Sequence, residues 1–177
     1  MVSFTFSEGK MNGNNMFTVE FVGTLRPYDR KQVQNINRNN HLDYGQINGE
    51  KLMYHEMAVL AKVGDKVIGY ALLAKNFMIN FDVHVIQIAV DDEYKRRGVA
   101  TAMYKFILER SKGASFVSAN VHVGNKASEN LHKKLGFSIL GKPDQYGYRL
   151  AKMVCANMDF LDSPKQDFEF KSQEPYK

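Results

Sequence analysis

Apolar positions in this chain fall into short, nearly continuous runs broken by two stretches of helical spacing. The densest run is Val83-His84-Val85-Ile86-Gln87-Ile88-Ala89-Val90. It is β-branched and bounded by polar turn residues, which predicts a strand covered on both faces. Downstream, Val99, Met103, Phe106, Ile107 and Arg110 fall at i, i+4, i+7, i+8 and i+11, so four apolar side chains share one helical face. Gly113 is a natural stop for that helix, predicted over 98–112.

The same reading covers the rest of the chain. Met16 to Val22 reads as a first strand, and Pro27 with Val33 and Ile36 as a short polar helix. Residues 37–51, rich in Asn, Gly and charge, predict a loop or a second short helix. Met57–Val63 and Lys66–Leu73 flank Gly64-Asp65 as a hairpin. A strand at 115–122, a helix at 126–135 and strands at 137–141 and 146–155 follow. Residues 157–177 are polar, with two Pro, and read as a peripheral tail.

The chemistry concentrates between Asp91 and Thr101, in Asp-Asp-Glu-Tyr-Lys-Arg-Arg-Gly-Val-Ala-Thr. A basic, glycine-bearing turn joins a buried strand to a helix N-terminus there. Free backbone N–H groups and the helix dipole suit such a turn to a phosphate. A second element runs Asn125-Lys126-Ala127-Ser128-Glu129-Asn130-Leu131-His132-Lys133-Lys134-Leu135-Gly136-Phe137.

These two elements together resemble the GNAT superfamily of N-acetyltransferases. The family's strand–turn–helix motif reads Gln/Arg-x-x-Gly-x-Gly/Ala, and here the turn is Lys95-Arg96-Arg97-Gly98-Val99-Ala100, with Lys at the first position. Its second motif has Asn, then Leu-Tyr, and ends in Lys-x-Gly-Phe; here it is Asn125, Leu131-His132 and Lys134-Leu135-Gly136-Phe137. The resemblance covers roughly residues 54 to 150. It implies an α+β (α/β/α) fold with a mixed, largely antiparallel sheet of six to seven strands flanked by about four helices. The domain would span 16–156, between an N-terminal extension at 1–15 and the tail at 157–177.

The implied donor is acetyl-CoA, with no metal, and the implied acceptor is an amine. Its pyrophosphate would sit around Lys95, Arg96, Arg97, Gly98, Val99, Ala100 and Thr101, where Gly98 allows close backbone approach. Ile88, Ala89 and Val90 would pair with the pantetheine arm by backbone, and the Val90 N–H would meet the oxyanion. Asn125 either contacts the arm or simply caps its helix. His132 stands where the family places a Tyr that protonates the leaving thiolate, and is either that acid or a solvated helix histidine beside Lys133 and Lys134. Tyr146 and Tyr148 are alternative donors.

The family often places a Glu near Gln87, and Gln cannot take a proton. Neutralising a lysine-like ammonium of pKa near ~10.4 at pH 7 costs roughly 4–5 kcal/mol. Either His84, His122 or Glu56 supplies the base, or the acceptor has a lower pKa and arrives neutral. His41 and His55 have no motif around them.

Composition narrows the classes without naming an acceptor. The chain has 177 residues, 44% hydrophobic and 24% charged, ordinary for one soluble domain. No run approaches the ~20 apolar residues of a membrane span, and the first residues lack the pattern of a signal peptide. Cys155 is the single cysteine, which fits a cytoplasmic location. The net charge of +5 comes without any nucleic-acid-binding signature, and Lys95-Arg96-Arg97 is already accounted for by a polyanionic cofactor. An acetyl-CoA-dependent N-acetyltransferase is the leading reading. A catalytically weak acyl-CoA-binding module is the alternative, and homodimer formation stays open.

Overall fold

The computed structural model describes residues 4–10, 16–40, 57–76, 82–111, 114–144 and 147–153. The elements are β1 (Phe4–Lys10), β2 (Met16–Val22), α1 (Pro27–Asn40), β3 (Met57–Val63), β4 (Lys66–Asn76), β5 (Asp82–Val90) and a 3-10 turn (Asp92–Tyr94). Then follow α2 (Val99–Arg110), β6 (Phe116–Val121), α3 (Lys126–Lys134), β7 (Ser138–Asp144) and β8 (Gly147–Met153). One eight-stranded sheet has the order β1-β2-β3-β4-β5-β6-β8-β7. Every neighbouring pair is antiparallel except β5 and β6.

The mixed α+β sheet is therefore present, with one strand more than expected. Met16–Val22 is the second strand, because Phe4–Lys10 pairs antiparallel with it. Among the described residues three α-helices flank the sheet. Residues 41–51 and the tail at 157–177 lie outside the described residues.

Both faces of the sheet are covered. On one, Val33 and Ile36 of α1 pack with Leu25 against Ala58, Leu60, Val67, Tyr70, Leu72 and Ala89. On the other, Val99, Met103, Tyr104, Phe106 and Ile107 of α2, joined by Leu135 and Phe137 beyond α3, cover Val59, Ala61, Ile68, Ala71, Val85 and Val90. Adjacent residues of β3 and β4 thus enter opposite cores, which is why these strands lack polar alternation.

The polar helix α1 also docks through charge. Asp29 is 1% exposed and Lys62 of β3 is 6% exposed. Lys62 Nζ lies 3.0 Å from Asp29 Oδ1 and 2.5 Å from Glu20 Oε1, and Arg26 Nε lies 2.7 Å from Asp29 Oδ2. Burial pushes the Asp29 carboxyl up, but hydrogen bonds and charge from Arg26 and Lys62 outweigh it and hold the group below the usual carboxylate range.

Candidate active site

The site starts at an irregularity in β5. Gln87 pairs with Leu72 and Val85 with Leu73, so Ile86 is an extra residue on β5. Such a bulge bends its strand and increases local twist. β5 then parts from β6. Their parallel pairing comprises Val83↔Val117, His84↔Ser118 and Val85↔Ala119. Beyond Ala119, β6 continues to Val121 paired with β8 instead.

Ile88, Ala89 and Val90 remain paired with Ala71, Tyr70 and Gly69 of β4. Their other edge faces the opening between the splayed strands, and alternate residues turn their N–H and C=O groups into it.

The opening leads to the basic turn. Asp91 N–H donates to Ile68 O at 2.9 Å, and the Asp91 carboxylate accepts from Glu93 N at 3.2 Å. Arg96 adopts φ 59° and Gly98 φ 84°, both left-handed. Backbone that alternates in this way forms a concavity of converging N–H groups, an anion-binding shape. Gly98 has no side chain to cap the first turn of α2, and its C=O accepts the first helical bond from Ala102 N at 2.9 Å. A Cβ built on Gly98 meets nothing within 4 Å, so the concavity opens outward.

Arg96, Arg97 and Gly98 are exposed. The Arg97 guanidinium lies 5.5 Å from the Tyr94 ring centre. Lys95 Nζ is paired with Asp92 Oδ1 at 2.5 Å, so part of the turn's positive charge is already met within the protein. Asn125 caps α3, its Oδ1 accepting from Ser128 N at 3.1 Å. That leaves its NH2 group for a second partner.

His132 is not the solvated helix histidine that its lysine neighbours suggest. It is 2% exposed, part of the packing between α2 and α3 rather than a solvated helix surface. Its Nδ1 lies 2.8 Å from the Ser128 carbonyl, which only accepts, so the ring proton is on Nδ1. Nε2 must then accept, and the Tyr104 hydroxyl 2.6 Å away donates to it. Burial lowers the His132 pKa, with the Ser128 carbonyl opposing part of that shift. In this conformation the ring is a neutral acceptor that points into the core, while Asn125 is half-buried.

The remaining candidates separate into those the structure places and those it does not. Gln87 Oε1 lies 2.9 Å from the Tyr70 hydroxyl, which is also 3.1 Å from Asn37 Oδ1 of α1. His84 Nδ1 lies 2.9 Å from Ser118 Oγ across the β5–β6 pair. His122 is half-buried and engaged with a partner. Glu56, His41, His55 and Tyr146 lie outside the described residues, and of Tyr148 only its β8 pairing with Val121 is described. Tyr70, Asn37 and Tyr104 were not legible as site residues, because each is defined by a partner at least 17 positions away. Among the described residues no cluster of His, Cys, Asp and Glu could hold a metal ion, and no helix is long and apolar enough to cross a membrane.

A bulged strand that splays from its parallel neighbour thus leads to a helix start whose backbone has the shape of an anion cradle. The model of the acetyltransferase (GNAT) family matches residues 22–137, and the chain belongs to that family. An N-alpha-acetyltransferase of Sulfurisphaera tokodaii is 40% identical over 57 residues, which is 30% of this chain and 34% of that protein, so the match spans about a third of the relative.

Among solved structures, the ribosomal-protein-S18-alanine N-acetyltransferase from Escherichia coli superposes with TM-score 0.67 at 17% identity, covering 81% of this chain and 97% of that one. Ard1 from Thermoplasma volcanium gives 0.66 at 20% identity, covering 77% and 97%. PaiA N-acetyltransferase from Thermoplasma acidophilum, solved in complex with coenzyme A, gives 0.63 at 15% identity, covering 76% and 98%. At these identities the likeness is one of fold.

Proposed function

We propose that this protein transfers an acetyl group from acetyl-CoA to a primary amine by direct attack of the amine on the thioester. The observation that carries the reading is the continuity of the β5–β6 opening with the left-handed turn at Arg96 and Gly98. A strand edge able to bind amides leads straight to a cradle able to bind a pyrophosphate. The coenzyme A complex of the PaiA relative supports the same donor here.

In this reading the backbone around Arg97, Gly98, Val99, Ala100 and Thr101 holds the pyrophosphate. Lys95 and Arg96 add positive charge, and Arg97 is steadied against Tyr94. Ile88, Ala89 and Val90 hold the pantetheine amides, and the Val90 N–H is placed to stabilise the oxyanion. Asn125 contacts the arm through its free NH2 group. His132 and Tyr104 are tied to each other in the core, the Tyr104 proton being given to His132 Nε2. That leaves Tyr146, Tyr148 or water as the proton source.

The test uses the full chain with acetyl-CoA and a panel of amines, following amide formation and thiol release together. Stoichiometric amide and thiol support the reading. A thermal shift with coenzyme A but no transfer to any amine would replace it with a binding module. No shift at millimolar coenzyme A would remove the donor assignment itself.

A further inference from the structure

Three carboxylates, Asp91, Asp92 and Glu93, stand just ahead of the turn proposed to hold a pyrophosphate. Glu93 is three residues before Arg96, so their Cα atoms are at most about 11 Å apart. That is about one Debye length at 0.1 M salt, close enough for unanswered negative charge to oppose an anion at the cradle. The segment from Asp91 to Arg97 carries three acids and three bases, so its own formal charge cancels.

A cation from another element tips that balance positive. Lys95 Nζ pairs with Asp92 from within the turn. The other two carboxylates share Lys66, the first residue of β4, whose Nζ lies 2.9 Å from Glu93 Oε2 and 3.6 Å from Asp91 Oδ2. The hydrogen bond to Glu93 holds the Lys66 ammonium above its usual range; burial opposes this and Asp91 adds to it, so the group is charged.

Lys66 is also fixed in place. Gln32 of α1 donates from Nε2 to Asp65 O at 3.1 Å and accepts at Oε1 from Val67 N–H at 2.9 Å. The backbone is thus held on both sides of Lys66. Its ammonium lies 4.8 Å from the centre of the Tyr94 ring, and the Arg97 guanidinium lies 5.5 Å from the same centre. Both are within cation–π range. Tyr94 in turn packs against the core that α2 covers.

We propose that Lys66 is a positioning residue for the acetyl donor, an inference that rests on the acetyl-CoA reading above. It neutralises Asp91 and Glu93, so that the turn at 95–101 presents net positive charge to the pyrophosphate. The lysine acts through the two carboxylates and through the Tyr94 ring that it shares with Arg97. It stands outside the basic, glycine-bearing motif, and its partner Glu93 is 27 residues away in sequence.

The experiment titrates the full chain with coenzyme A by calorimetry at about 20 mM and about 500 mM salt. Lys66→Met keeps the stem and removes the charge. It should raise the coenzyme A dissociation constant about three- to tenfold at low salt, and about twofold or less at high salt. Lys66→Arg should bind like the parent. Glu93→Gln removes a carboxylate and leaves Lys66 charged, so it should tighten binding about twofold or more at low salt. That variant carries the test if Lys66→Met fails to fold.

An unchanged dissociation constant in Lys66→Met at low salt overturns the inference. So does a loss that is equal at both salt concentrations, or one that Lys66→Arg shares, since either marks a role in shape rather than charge. Glu93→Gln binding no tighter than the parent overturns it as well. Each of these leaves the acetyl-CoA reading standing, because the parent still binds. A parent that gives neither heat nor a thermal shift with millimolar coenzyme A overturns the donor assignment and this inference with it.

Discussion

The Tyr104 hydroxyl donates to His132 Nε2 at 2.6 Å and thereby ties α2 to α3. The two rings meet edge to face at 4.9 Å, and each packs in the same way on Phe137, at 5.6 Å for Tyr104 and 5.0 Å for His132. Tyr104→Phe leaves Nε2 without a donor in a dry environment and should cost about 1–3 kcal/mol in denaturant melts. Removing both partners with Tyr104→Phe and His132→Leu should cost less than the sum of the single changes, since no buried polar atom is then left unpaired. Strict additivity would mean that the bond does not form in solution.

The same ring makes stability depend on pH on the acid side. Burial lowers the folded-state pKa of His132, so the unfolded chain binds this proton more readily. The contribution is fully present above the unfolded value near ~6.5 and is lost as pH falls through that value towards the lower folded one. Denaturant midpoints should therefore fall between about pH 7.5 and about pH 5, and His132→Leu should remove part of that drop. An identical drop in the variant would assign it to other groups.

Local pattern made the β3–β4 hairpin, β5, α2 and α3 legible, because each carries its signal within a few residues. β1 carries little: Phe4-Thr5-Phe6 is short, Glu8-Gly9-Lys10 is polar, and its strand character depends on pairing with β2. The basic turn was legible by its Gly and charge, but the bulge at Ile86 was not, since it exists only in the register with β4. His132 misled for a physical reason. Lys133 and Lys134 suggest a solvated face, yet α3 rolls His132 and Leu135 inward and leaves Leu131 half-buried. The pairing partner that explains a buried histidine, Tyr104, lies 28 residues earlier.

Gly69 should tolerate little. A Cβ there would lie 3.1 Å from both Met103 Cε and Val99 Cγ1 and 3.2 Å from the Ala89 carbonyl oxygen. β4 can approach the start of α2 only because this position has no side chain. Gly69→Val should destabilise the fold by about 1–3 kcal/mol through overpacking. It should also weaken coenzyme A binding, because Val99 opens the helix that cradles the phosphate. Calorimetric titration alongside melts checks both. A stable variant with unchanged affinity would show that α2 shifts freely on the sheet.

Gly98 allows strain and charge to be separated at the phosphate cradle. Its φ of 84° is left-handed, so any side chain is strained there, but a Cβ meets no atom within 4 Å. Gly98→Ala and Gly98→Glu should therefore lose similar stability, about 1–2 kcal/mol each. Their ligand responses should differ. With coenzyme A at a hundredfold excess over its dissociation constant, linkage stabilises the parent by about 2.7 kcal/mol. The alanine variant should keep a shift at higher coenzyme A, because a methyl group leaves the N–H groups of Val99, Ala100 and Thr101 reachable. The glutamate variant should show none, since its carboxylate competes with the pyrophosphate for those donors and repels it. Thermal melts of the three proteins across a coenzyme A series check this. A glutamate variant that folds and shifts like the alanine variant would place the phosphate away from this turn.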